Sequence, residues 1–147
     1  MAAPFTENWV LAFARALAAS ERYRAAAARW EGDLILELAA ALEPTGIYLD
    51  LHRGACRQAR LARSADFASA RYILAATRRV WDELLAGSLS PGTAVMSKQL
   101  ALTRGGIWTL LPHLDSAQEL IEVARRAVLE PGEPASAENL ASIDRLR

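Results

Sequence analysis

Cysteine is almost absent from this chain of 147 residues. Cys56 stands alone, so no internal disulfide can form, and a reducing compartment, the cytoplasm, is the expected setting. Net charge is absent too: 17 Lys and Arg balance 17 Asp and Glu, which removes the basic excess on which nucleic-acid binding leans. Lysine is reduced to Lys98, and histidine to His52 and His113. No apolar run approaches the roughly 18 residues that would span a bilayer. The N-terminal stretch, interrupted by Glu7 and Arg15, lacks the basic start and clean apolar core of a signal peptide. The phosphate-cradling patterns G-x-G-x-x-G and G-x-x-x-x-G-K-[ST] are missing as well. What the chain does have is apolar content, 52% hydrophobic against 23% charged residues. That is too apolar for disorder and, at this length, enough for one domain with a core of its own.

The pattern predicts two helices first. Thr6 can cap one carrying Trp9, Val10, Phe13 and Leu17 at near-helical spacing, and Ser20 can cap a second short one, or sit within a continuation of the first, that holds Tyr23, the alanines 25–28 and Trp30. The period then changes to two. Leu34, Leu36 and Leu38 alternate with Asp33 and Glu37, and Ile47, Leu49 and Leu51 alternate across the Pro44-Thr45-Gly46 turn signal, which reads as a strand pair. A third, arginine-bearing edge strand is expected over 55–63, a turn at Asp66–Ser69, and a strand over 70–75. Thr77 caps a helix through Trp81, Leu84 and Leu85 that Gly87 ends. One helical turn at Thr93–Ser97, a last strand at Leu100–Thr103 and a helix capped by Asp115 or Ser116 complete the chain before a loose tail over 130–147. Adjacent strands with short links favour antiparallel pairing, and the helix after the fourth strand adds a crossover, so the expected class is α+β with a mixed sheet.

Little in this inventory does chemistry. Asp50 and His52 share one face of a strand and Cys56 follows a Gly turn, which raises an Asp-His-Cys hydrolase. Strand neighbours at i and i+2 point parallel, however, and a triad must converge. His113 reads as a surface or cavity-rim histidine with no second ligand at metal spacing, and Glu119 and Glu122 as a solvated helix face. Arg53, Arg57, Arg60, Arg63, Arg71, Arg78 and Arg79 stand against Asp66 alone over 53–79. That run suggests either an anionic partner or scattered surface charge. The apolar surplus of the second half is either plain core or the lining of a cavity, and spacing does not separate the two.

One stretch carries a resemblance. Trp81-x-x-Leu84-Leu85-x-Gly87-x-Leu89-x-Pro91-x-x-Ala94-x-Met96, followed by Leu100-x-Leu102 and a glycine, resembles the sterol carrier protein type 2 (SCP-2) domain. The likeness spans about 30–129. Lys98-Gln99-Leu100 stands where that family has Gly-Lys-Leu, and Gly105 comes one place late. The resemblance implies a five-stranded, mostly antiparallel sheet with helices on one face, enclosing an apolar tunnel. It makes residues 1–129 one domain, with 1–30 as a helical extension of the kind seen in bacterial stand-alone members. It also implies a non-catalytic carrier of fatty acids, acyl-CoA or other lipids, with no cofactor. Trp81, Leu85, Met96, Leu100, Leu102, Trp108 and Leu111 would be its tunnel-side positions, Thr93–Ser97 would lie near the entrance, and Arg104 or one of the 53–79 arginines would hold an anionic head group. The same resemblance allows an alternative, a structural or interaction subunit beside a partner enzyme.

Overall fold

The computed structural model describes residues 3–129; the tail expected over 130–147 lies outside them. Thr6 caps α1 (Glu7–Ala19) by accepting the Trp9 amide, and Ser20 caps α2 (Glu21–Ala26) by accepting the Tyr23 amide. The second helix stops four residues short of Trp30, which lies at the mouth of β1 (Glu31–Leu38). β2 (Gly46–His52) and β3 (Ala55–Leu61) form a hairpin closed by Arg53-Gly54. Both turn residues have positive φ, +49° and +88°, the requirement of a two-residue turn that follows the twist of the strands. Next come α3 (Ser64–Ser69), β4 (Tyr72–Ala76), α4 (Arg78–Ala86), α5 (Pro91–Met96), β5 (Ala101–Arg104), α6 (Ile107–Leu110), a 3₁₀ turn (Leu111–His113) and α7 (Leu114–Leu129).

The sheet has five strands in the order β3-β2-β1-β4-β5. It is mixed and mostly antiparallel: only β1 and β4 run parallel. The crossover therefore differs from the sequence expectation. The parallel link is the β2–β3 hairpin plus α3, whereas α4 and α5 return the chain antiparallel onto β4. Where the sequence predicts a turn at Asp66–Ser69, a short helix forms. Six residues carry too little periodicity to announce one, and its start is held by Asp66, whose carboxylate accepts the Arg63 amide at 2.8 Å. The same carboxylate pairs with Arg60 at 2.7 Å, and that bond holds the Asp66 carboxyl below the usual carboxylate range. The last helix begins at Leu114, before either expected cap; Ser116 instead turns inward and donates to the Ala26 carbonyl at 2.7 Å.

The main core lies between one face of the sheet and helices α1, α2, α4, α5 and α7. Leu34 and Leu36 of β1, Ile47, Leu49 and Leu51 of β2 and Leu74 of β4 meet Trp9, Phe13, Trp81, Leu84 and Leu120 there. The alternation read from the sequence is the cause: the even positions of β1 and the odd positions of β2 fall on one face. On the opposite face, Phe67 of α3 packs against Ile35 and Ile73. α1 is no appendage to this core, for Trp9 and Phe13 are fully buried within it and the Trp9 indole donates to the Ala124 carbonyl of α7 at 3.1 Å. No helix among the described residues is long and apolar enough to cross a membrane.

Candidate functional site

Among the described residues, an apolar cavity lies between the sheet centre and the last helices. Its floor is Leu34, Leu51 and Leu74, one leucine from each of three adjacent strands. Its roof is Leu110, His113, Ser116, Ala117 and Leu120 from α6, the 3₁₀ turn and α7, and Tyr23 and Trp30 close its sides. The floor follows from strand alternation, because each leucine sits at a core-facing position. Roof and floor are almost wholly hydrocarbon. The polar atoms that reach it are few: Ser116 is committed to Ala26, and burial pushes the Tyr23 phenol up, aided by nearby Cys56, so it stays neutral.

An aromatic chain builds one side. The Trp30 indole donates to the Gly32 carbonyl at 3.0 Å. The Trp30 ring stands 4.9 Å from Tyr72 and, edge-on, 5.1 Å from His113. His113 is half-buried and joins the cavity wall, so it is a rim residue. The space itself is small, about 20 Å³, room for about one water. A hydrocarbon tail enters only if the roof lifts. The roof is less regular than the floor: α6 is four residues long, its N-cap Gly106 offers no side-chain cap, and a 3₁₀ turn carrying Pro112 separates it from α7.

The seven positions that the resemblance implies fall elsewhere. Trp81, Leu85 and Leu100 lie together in the main core, and Leu102 packs against it. The Trp81 indole is tied to the Glu37 carbonyl at 2.8 Å. Leu111 is half-buried. Met96 and Trp108 stand on the outside, 71% and 81% exposed. None of the seven is among the residues that line the cavity between floor and roof. Helices of six and four residues hold too few turns for sequence spacing to fix which side faces in.

Asp50, His52 and Cys56 do not form a triad. Cys56 is the register partner of Leu51 and packs against the main core. Asp50 and His52 alternate with Leu51, so they project from the other face of the sheet. Asp50 is engaged by Arg57 at 3.1 Å. Burial, and then the Asp50 charge, pushes the Cys56 thiol up to about 11, the opposite of an activated nucleophile. Several arginines of the 53–79 run are spent on partners: Arg53 on Glu31, Arg60 on Asp66 and Arg79 on Glu83. Among the described residues no group of His, Cys, Asp and Glu is placed to hold a metal.

No family model and no curated protein matches the chain. Solved structures do. It is similar to a crystal structure of sterol carrier protein 2, with a TM-score of 0.78 and 39% identity over 84% of this chain and 98% of the other. It is similar too to the solution structure of a conserved hypothetical protein from Thermus thermophilus, described as possibly a sterol carrier protein. There the TM-score is 0.75 and the identity 38%, over 85% of this chain and 90% of the other. The apo form of sterol carrier protein 2 from Yarrowia lipolytica, 13% identical, shares the fold with a TM-score of 0.53 over 79% of this chain and 88% of that one.

Proposed function

Because the chain belongs to the sterol carrier protein 2 family, we propose that it is a non-catalytic carrier that holds a fatty acyl chain or a similar apolar ligand between its sheet and α7. The supporting observation is the hydrocarbon-lined space over Leu34, Leu51 and Leu74 beneath a roof whose α6 is short and uncapped. Each methylene moved from water into that space contributes about 0.8 kcal/mol. A tail of some eight buried methylenes therefore supplies roughly 6 kcal/mol against the cost of lifting the roof. Selectivity in such a site follows chain length more than hydrogen bonding. Trp81, Leu85, Leu100 and Leu102, beyond the present cavity, are the side chains along which a longer tail would extend once the roof has moved. Fatty acid and acyl-CoA are the ligand classes proposed, and the cytoplasm, in keeping with the lone thiol, is the proposed setting.

A second reading is favoured by the small volume of the space. With its interior this full, the fold would serve as an interaction subunit beside an enzyme, binding no lipid.

One variant separates the two. Ala117 lines the roof and is half-buried, so Ala117→Phe fills the space without emptying the core. Titration of a fluorescent fatty acid should show affinity at least roughly tenfold weaker in Ala117→Phe, a loss of about 1.4 kcal/mol or more. Equal affinity in both proteins would remove this cavity from the account, and no binding to either would favour the subunit reading.

A further inference from the structure

The ligand proposed above has a polar end, and the fold decides what can meet it. Arg104, expected to hold an anionic head group, is turned away. It stands in register with Ile73, which packs with Phe67 on the α3 side of the sheet, and it donates to the Ala70 carbonyl at 3.4 Å. None of the residues that line the cavity is an arginine, lysine, aspartate or glutamate. Most polar groups along the wall are committed: the Trp30 indole is spent on Gly32 and the Ser116 hydroxyl on Ala26. The Tyr23 phenol is neutral and the residue 1% exposed, so a carboxylate would reach it only after losing its water, which is costly for an ion. His113 differs from all of these. It is half-buried at the rim, its ring stands edge-on to Trp30 at 5.1 Å, and it has no hydrogen-bond or ion-pair partner among the described residues. The imidazole is thus placed by packing while its nitrogens stay available.

We infer that His113 receives the carboxylate of a free fatty acid, with the tail running inward over Leu34, Leu51 and Leu74. The inference rests on the carrier reading above and adds to it the head group and the direction of the ligand. Among the lining side chains, an imidazole alone can offer an N–H to an anion and, once protonated, pair with it. The rim position suits that task. One carboxylate oxygen takes the N–H while the other stays in water, so the charge is never fully desolvated. Between the two ligand classes proposed, this selects the free acid, because the thioester of an acyl-CoA carries no carboxylate at that place. A space of hydrocarbon alone has the reverse preference: it takes a neutral ester more readily than an acid, since the ester leaves no charge to strip of water.

That reversal supplies the test. A fatty acid with a fluorophore at its tail end, and the methyl ester of the same molecule, are titrated into the full chain, His113→Phe and His113→Ala. The wild type should bind the acid at least roughly tenfold tighter than the ester, the scale of one charge-assisted hydrogen bond. In both variants the acid should fall to the level of the ester or below it, while the ester itself still binds. His113→Phe keeps a ring against Trp30, and His113→Ala crowds nothing, so neither loss of packing nor blockage alone produces the same change in both. Persistent binding of the ester shows that each variant is folded with its cavity intact. Three results would overturn the inference. A wild type that binds the ester as tightly as the acid, or tighter, would mean that no group recognises the carboxylate. A preference for the acid that survives in both variants would place its partner elsewhere. Binding of neither probe to the wild type would overturn the carrier reading itself and this inference with it, an outcome distinct from the first two, in which binding persists.

Discussion

Trp9→Ala should cost about 3–5 kcal/mol of folding stability, a large part of the roughly 5–15 kcal/mol that is typical of a whole domain. Trp9 is fully buried, with Phe5 and Phe13 rings 5.1 Å and 5.5 Å away. Truncation removes the largest side chain at the α1–α7 contact and opens a cavity that the flanking rings cannot fill without moving. It also deletes the indole bond to Ala124, 115 residues distant in the chain. Trp9→Phe separates the two contributions: most of the packing stays while the buried hydrogen bond goes, so its loss should be about 1 kcal/mol. Urea unfolding of the three proteins measures this. The experiment also decides what α1 is. A loss below about 1 kcal/mol for Trp9→Ala would make the first helix a removable extension, whereas the expected loss makes it a wall of the domain.

Gly105→Ala should lower stability by about 2–4 kcal/mol. Two independent effects add at this position. The backbone φ is +100°, a conformation that side chains resist. A Cβ there would lie 2.3 Å from Cδ1 of Tyr72 and 2.9 Å from Cε1. Tyr72 cannot swing aside freely, because it is 5% exposed and its ring packs on Trp30. The displacement therefore propagates from Tyr72 to Trp30 and on to His113 at the cavity rim. A Tm lower by roughly 5 °C or more is expected in calorimetry, with fatty-acid affinity altered as well. An unchanged Tm would mean that the Tyr72–Trp30–His113 chain is loosely packed and exerts no control over the rim.

Those two residues also mark how far the sequence can be read. Trp9, Phe13 and Leu17 announce a buried helix face, Thr6 announces its N-cap and Ser20 that of the second helix, and all hold in the structure. The alternation in β1 and β2 places Leu34 and Leu51 on the inner face, where two leucines of the cavity floor stand. A local signal is enough in each case, because hydrogen-bond capping and side-chain alternation act within a few residues. The roof is not legible in that way. Which helix lies over the middle of the sheet depends on the parallel pairing of β1 with β4, and nothing in a stretch of a few residues encodes a contact so far along the chain. The short pieces α3, α5 and α6 suffer from their length: with fewer than two full turns, apolar residues at i and i+3 do not define a face. Trp108 shows the result, a large aromatic that the resemblance would put on the tunnel side and the fold leaves exposed.

The most direct test of the carrier account is where an acyl chain sits. Palmitate labelled with carbon-13 along its chain, bound to the full protein and observed by NMR, should give cross-peaks to the methyl groups of Leu34, Leu51, Leu74 and Leu120, with large shifts in Ile107–His113 as the roof moves. Cross-peaks confined to the outer side of α6, with those four leucines silent, would contradict it.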